Sequence, residues 1–312
     1  MRIAIMGAGG VGSYFGARLV GSGEDVIFIA RAAHLAALRE RGLSVKSPRG
    51  DVRLETVTAT EDPSTVGIVD IVLLTVKLYD LETACDLIAP MVGPETMIVP
   101  VQNGVSSIDI ISAKFDHAIV VGGLVFIASF VVSPGEVEHM TELHRLVLGE
   151  IDGSLSNRVL NFRDIGERAG FDAEVSENIE LELWKKFALL GGISPVTSLS
   201  RQTVGAIETD NNLREISRRS INEVLSVGRA KGIAFPADML ETTLALNSRF
   251  DPNTKNSMLI DLEAGRPLEH EWISGEIVRL GRELGVPTPF HEIAYAILKP
   301  FATGKPPIST NK

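Results

Sequence analysis

At residue 7 the chain runs Gly7-Ala8-Gly9-Gly10-Val11-Gly12, directly behind the apolar run Arg2–Met6 and directly ahead of the helical pattern Gly12–Val20. Few structures tolerate that order. In a strand–turn–helix unit the first glycine makes the tight turn and the second lets the backbone approach a pyrophosphate. The third lets the helix pack against the strand. The helix start then turns free amide groups toward the phosphates. Glycines at a turn mean little by themselves; between a buried strand and a helix, this spacing points to a dinucleotide.

The next apolar run, Asp25–Ile29, is followed by Ala30-Arg31. A site for a free ribose 2′-hydroxyl would place a carboxylate here. This chain offers the Arg31 cation instead and no carboxylate until Glu40. A guanidinium fork suits a 2′-phosphate, so the expected cofactor is NADPH.

Further strands are expected at Asp70–Lys77, Thr96–Val101 and Ala118–Phe126, each dense in Val, Ile or Leu and bounded by turn residues. Helical patterns lie between them at Ala33–Arg41, Leu81–Ala89 and Ser107–Lys114. This alternation predicts a doubly wound parallel sheet in an α/β domain. Two hairpins interrupt it, Leu43–Val45 with Val52–Leu54 and Glu136–His139 with Arg145–Leu148. A helix over Ser154–Ala169 and a strand over Phe171–Val175 close the unit.

Beyond about Ser176 only helical patterns follow: Ile179–Leu190, Asn211–Lys231, Pro236–Asn247, Met258–Ala264, Glu271–Leu284 and Phe290–Pro300. The expected organisation is a nucleotide-binding domain over 1–175 and an all-helical domain over 176–312, with a frayed tail from Gly304.

The net charge of −10 makes a poor field for nucleic acid phosphates. The longest apolar stretch, Val120–Val132, is too short to span a bilayer. The single cysteine, Cys85, excludes an internal disulfide, and the six histidines show no metal-ligand spacing. No metal is expected, and the location expected is cytoplasmic.

Several polar residues fall where ligands of open α/β sheets bind. Lys77 ends the run Leu74-Thr75-Val76-Lys77, and Asn103 follows the next strand in Gln102-Asn103-Gly104. Spacing alone leaves each equally an ordinary turn residue. In Glu182-Leu183-Trp184-Lys185-Lys186-Phe187 the apolar company leaves little polar face, which points one lysine inward. Asn256-Ser257-Met258 and Glu269-His270-Glu271 add a hydroxyl and carboxylates.

Together, Gly7–Gly12, Arg31, Thr75-Val76-Lys77, Gln102-Asn103-Gly104, Glu182–Lys186, Ser257-Met258 and Glu269 resemble the ketopantoate reductases. That resemblance implies a Rossmann-like domain joined to a helical domain of the 6-phosphogluconate dehydrogenase C-terminal type. It implies hydride transfer from NADPH to the ketone of a small 2-oxo acid. It makes Lys186 the catalytic acid, and Glu269 a catalytic support that also touches the cofactor. Asn103 falls between nicotinamide and substrate, Ser257 on the substrate, and the Ala128 backbone on the cofactor. Neither nucleic acid nor membrane is an expected partner, and a homodimer is a candidate assembly. Four and eight residues past Lys186, where the best-known members carry asparagines, this chain has Leu190 and Ser194, so those substrate contacts differ. The competing readings are an oxidative 3-hydroxyacid or 6-phosphogluconate-type dehydrogenase and a non-catalytic NADP(H)-binding regulator.

Overall fold

The computed structural model describes residues 1–305, so the tail expected to fray lies, past 305, outside the described residues. The chain forms two compact units. One comprises Met1–Gln102 and Ser107–Glu180, the other Asn103–Ser106 and the chain from Leu181 onward.

The first unit begins with β1 (Arg2–Met6), α1 (Gly10–Gly21), β2 (Asp25–Ile29) and α2 (Ala32–Arg41). Short strands β3 (Leu43–Lys46), β4 (Val52–Leu54) and β5 (Thr58–Thr60) follow, then β6 (Ile71–Leu74), α3 (Leu81–Ile88), β7 (Met97–Pro100) and α4 (Ser107–Ser112). The unit ends with β8 (Gly122–Ser133), β9 (Glu136–Gly149), α5 (Asn157–Arg168) and β10 (Asp172–Val175).

Strands β5, β2, β1, β6 and β7 form a parallel sheet in that order. The strand order reverses at β1, which is where such sheets bind ligands, at the carboxyl ends of the strands. Strand β5 reads as a polar loop because Thr58 and Thr60 carry no apolar alternation; it adds to the sheet edge beside β2.

The second sheet differs from the sequence expectation. The run Ala118–Phe126 does not continue the parallel sheet beyond an isolated bridge between Ile98 and Val120. Instead β8 pairs antiparallel with β9 along its length, around a turn at Pro134-Gly135 where Gly135 adopts φ +82°. Glu136–His139 and Arg145–Leu148 are therefore one strand, not the two arms of a hairpin. Met140-Thr141-Glu142-Leu143 read as a turn because they lack the alternation of the segments on either side; in the structure they are exposed and bulge from the ladder. Ile127 pairs with His144 and Ser129 with His139, leaving Ala128 alone opposite four residues. Strands β3 and β10 lie parallel to the two ends of β9, and the expected β3–β4 hairpin forms in register Leu43 to Leu54.

Helix α1 packs between the two sheets, so it is buried on nearly every side. Tyr14 bonds His144 Nδ1 at 2.7 Å, His144 accepts from Arg49 Nε at 3.1 Å, and His139 bonds Ser47 Oγ at 2.9 Å.

The second unit is helical. It contains α6 (Ile179–Ser200) beyond its first turn, α7 (Val204–Thr209), α8 (Asn211–Lys231) and α9 (Met239–Asn247). These are followed by α10 (Ser257–Glu263), a wide π-type turn at Glu271–Gly275, α11 (Glu276–Leu284) and α12 (Pro289–Leu298). Helix α6 runs ten residues beyond Leu190, through Gly191-Gly192 and Pro195. Gly192 admits no side chain, because a Cβ there would lie 2.2 Å from the Ile221 side chain of α8. Among the described residues, no helix is long and apolar enough to cross a membrane.

Burial lowers the pKa of His139 and His144, and pushes His291, fully enclosed beside Ser220 and Ser274, down to about 4. These rings fold neutral, whereas an unfolded histidine gains a proton below about 6.5. Their contribution to stability is therefore complete above that pH and is lost as the pH falls toward the folded values. Unfolding free energy should drop by about 2 kcal/mol between pH 7 and pH 5. Urea melts at the two values check it, and a flat profile would contradict the account.

Candidate active site

The glycine turn is built by contacts from three directions. Gly7 adopts φ +103°, and Thr75 Oγ1 donates to its carbonyl at 2.6 Å, tying the turn to the end of β6. A Cβ at Gly12 would meet that same carbonyl at 2.4 Å. Gly10 faces the second sheet: a Cβ there would lie 2.1 Å from the Ser129 carbonyl, and Ser129 Oγ donates to the Gly10 carbonyl at 3.0 Å. Ala128, next to Ser129, sits at the break in the β8–β9 register, so its placement beside the turn is a product of that bulge. Gly9 alone has nothing within 4 Å of where a Cβ would point.

These features fit a dinucleotide. The first amides of α1, from Gly10, Val11 and Gly12, have no acceptor within the helix. Beside them, the open space at Gly9 leaves room for a pyrophosphate. Arg31 precedes α2, exposed to water, and pairs with Asp80 Oδ2 at 3.5 Å. Lys77 lies three residues past the end of β6 rather than closing it, and starts the turn Leu78–Asp80. Gln102, which the sequence marks only as the first residue of Gln102-Asn103-Gly104, donates from Nε2 to the carbonyls of Leu74 and Val76 at 2.9 and 3.1 Å. That fixes where the chain leaves β7 toward half-buried Asn103 and then Gly104, at φ +104°.

In the second unit the two adjacent lysines separate cleanly. Lys185 reaches toward solvent and pairs with Glu182 at 2.8 Å. Lys186 turns inward and is only 7% exposed, in a helix whose neighbouring Trp184 and Phe187 belong to the core. Burial brings its pKa down to about 8, and the charge of Glu269, itself buried, opposes that shift. An ammonium that gives up its proton near neutral pH is suited to general acid chemistry.

Leu190 and Ser194 follow Lys186 along the same face of α6 at intervals of four, Leu190 half-buried and Ser194 buried. Asn256 caps α10 by accepting from the Leu259 amide at 2.9 Å, and its Nδ2 donates to Thr197 Oγ1 on α6. That link holds exposed Ser257, the first residue of α10, near the turn of α6 that carries Ser194. The Asn-Ser pair ahead of an apolar helix was the sequence signal for this cap. Cys85 is core, with burial raising its thiol to about 11.

The family description Ketopantoate reductase PanE/ApbA matches residues 3–153, and Ketopantoate reductase PanE/ApbA C terminal matches 178–302. The chain belongs to the ketopantoate reductase family. A 2-dehydropantoate 2-reductase of Mesorhizobium japonicum is 32% identical, the alignment covering 97% of this chain and 98% of that protein. An uncharacterized oxidoreductase of Bacillus subtilis, YkpB, is 29% identical over 98% of this chain and all of its own length, 100%. The crystal structure of 2-dehydropantoate 2-reductase from Geobacter metallireducens superposes with a TM-score of 0.90 at 30% identity, covering 96% of this chain and 99% of that one. This ketopantoate reductase relative is accordingly an oxidoreductase of the 2-oxo acid type, with a Rossmann-like sheet and a helical carboxy-terminal region.

The two middle glycines should separate in their effects. Gly10→Ala forces the β8 backbone away and should cost about 1–3 kcal/mol of stability. Gly9→Ala meets no protein atom and should leave stability within about 0.5 kcal/mol, while its methyl group intrudes on the pyrophosphate and weakens dinucleotide binding. Thermal melts with dinucleotide titrations check both, and equal destabilisation by the two would refute the assignment.

Proposed function

We propose that the chain reduces the ketone of a 2-oxo acid to the 2-hydroxy acid with NADPH, with Lys186 as the proton donor. The observation that carries this is the inward lysine of α6, buried and brought down to about 8. Bound nicotinamide supplies the hydride. As negative charge builds on the substrate oxygen, the Lys186 ammonium stabilises it and gives up its proton from Nζ. Glu269 supports the positive charge of Lys186 and touches the cofactor.

Asn103 orients nicotinamide and substrate, Ser257 binds the substrate, and Leu190 and Ser194 line it. Gly7 to Gly12 hold the pyrophosphate with help from the Ala128 backbone, while Arg31 and Lys77 hold the 2′-phosphate. Residues 1–175 then serve the nucleotide and 176–312 the substrate and its chemistry, in a cytoplasmic enzyme.

Lys186→Ala should lower kcat about 10²–10⁴-fold with NADPH binding nearly intact, and Lys185→Ala should do far less. In the reductive direction the lysine must be protonated. Rates should therefore be level below pH 8 and fall about tenfold per pH unit above a pKa near that value. A profile unchanged in Lys186→Ala would overturn the assignment.

The apolar side chain at Leu190 bears on the substrate. A hydroxyl brought against it loses water without gaining a partner, at about 1–3 kcal/mol. Ketopantoate should then be turned over poorly, and 2-oxo acids with bulkier apolar groups should be preferred. Measuring kcat/KM for a panel of 2-oxo acids, in the unmodified chain and in the Leu190→Asn, Ser194→Asn double variant, decides it. High ketopantoate efficiency without the substitutions, or no gain with them, would count against it.

A further inference from the structure

Strands β2 and β6 are not neighbours; each lies beside β1, on opposite sides. The loops that leave their carboxyl ends nevertheless meet, through Arg31 Nη2 and Asp80 Oδ2 at 3.5 Å. Arg31 immediately precedes α2, and Asp80 ends the turn begun by Lys77, donating its own amide to the Lys77 carbonyl at 2.9 Å. The two side chains are 74% and 43% exposed. A pair so open to water adds little to folding, so its significance lies in where it stands. It joins the two loops that flank the glycine turn.

A carboxylate in that position acts on both forms of a nicotinamide dinucleotide. Toward a 2′-phosphate it is a like charge, and it already occupies part of the guanidinium fork that the phosphate would use. Toward a ribose without the phosphate it is a hydrogen-bond acceptor for the free 2′-hydroxyl, the service an acidic residue performs in NAD sites. The sequence gives no hint of this, because Asp80 is far from the end of β2, where such a carboxylate ordinarily stands.

We propose that Asp80 is a specificity-determining residue of the nucleotide site. It competes with the 2′-phosphate for Arg31 and accepts from the unphosphorylated ribose, so that the chain binds NADH as well as NADPH. This rests on the reading of Arg31 as the partner of the 2′-phosphate.

The test is calorimetric titration of the whole protein with NADPH and with NADH, at low and high salt. Three proteins are compared: the unmodified chain, Asp80→Asn and Arg31→Ala. Asp80→Asn should tighten NADPH about 3–10-fold at low salt and weaken NADH about twofold or more. The gain for NADPH should shrink in ~1 M salt, where exposed charges are screened. A preference for NADPH over NADH raised threefold or more by Asp80→Asn supports the proposal. A smaller change, with Arg31→Ala still weakening NADPH, overturns the role of Asp80 alone. NADPH affinity unchanged in Arg31→Ala would remove the underlying assignment of Arg31 and this proposal with it. Both side chains are exposed, so melting temperatures close to that of the unmodified chain should accompany the changes.

Discussion

Helix α1 is squeezed from opposite sides, and the glycine turn that precedes it depends on that squeeze. Four of its twelve residues are glycine, each costing about 1 kcal/mol of intrinsic helix propensity relative to alanine. The packing explains three of them. Cβ atoms at Gly12 and Gly16 would strike Ile5 and Phe28 of the parallel sheet, and one at Gly10 would strike the Ser129 backbone of the second sheet. The helix therefore draws its stability from tertiary contact, including Phe15 on Phe171 and Tyr14 on His144, rather than from its own sequence. Its first turn is thereby fixed between the two sheets with its amides free of helix acceptors, the arrangement that suits a pyrophosphate.

A comparable logic governs Lys186. Lys186 is surrounded by core residues of α6, and desolvation lowers its proton affinity far enough for acid chemistry near neutral pH. The continuation of α6 past Leu190 matters equally. Had the helix ended at Gly191-Gly192, Ser194 would not share a face with Lys186. Gly192 instead admits α8 at close range, and the helix runs on to Ser200. One continuous helix thus carries Lys186 and the two positions that differ from the family pattern.

Much of this was legible in the chain. The strand–glycine–helix order at residue 7, Arg31 after β2, and the apolar company of Lys186 are local signals, and each was read locally. What escaped was non-local. Met140–Leu143 read as a turn, yet the reversal is at Pro134-Gly135 and those residues bulge opposite Ala128. Strand β5 lacks apolar alternation and exists because β2 offers it an edge. Thr75 and Gln102 stand in short motifs and Asp80 in none, yet what each holds is set by partners 68, 28 and 49 residues away in sequence.

The sequence by itself determined the two-part organisation, the glycine turn and the residue types available for nucleotide and acid chemistry. It could do so because strand and helix periodicity, turn glycines and charge are properties of short segments. Only the tertiary structure decided which lysine of the Lys185-Lys186 pair is buried, why Gly10 tolerates no side chain and what stands opposite Arg31. Those outcomes depend on which surfaces close over one another. Desolvation, close backbone approach and the meeting of two loops from non-adjacent strands arise only when distant segments pack.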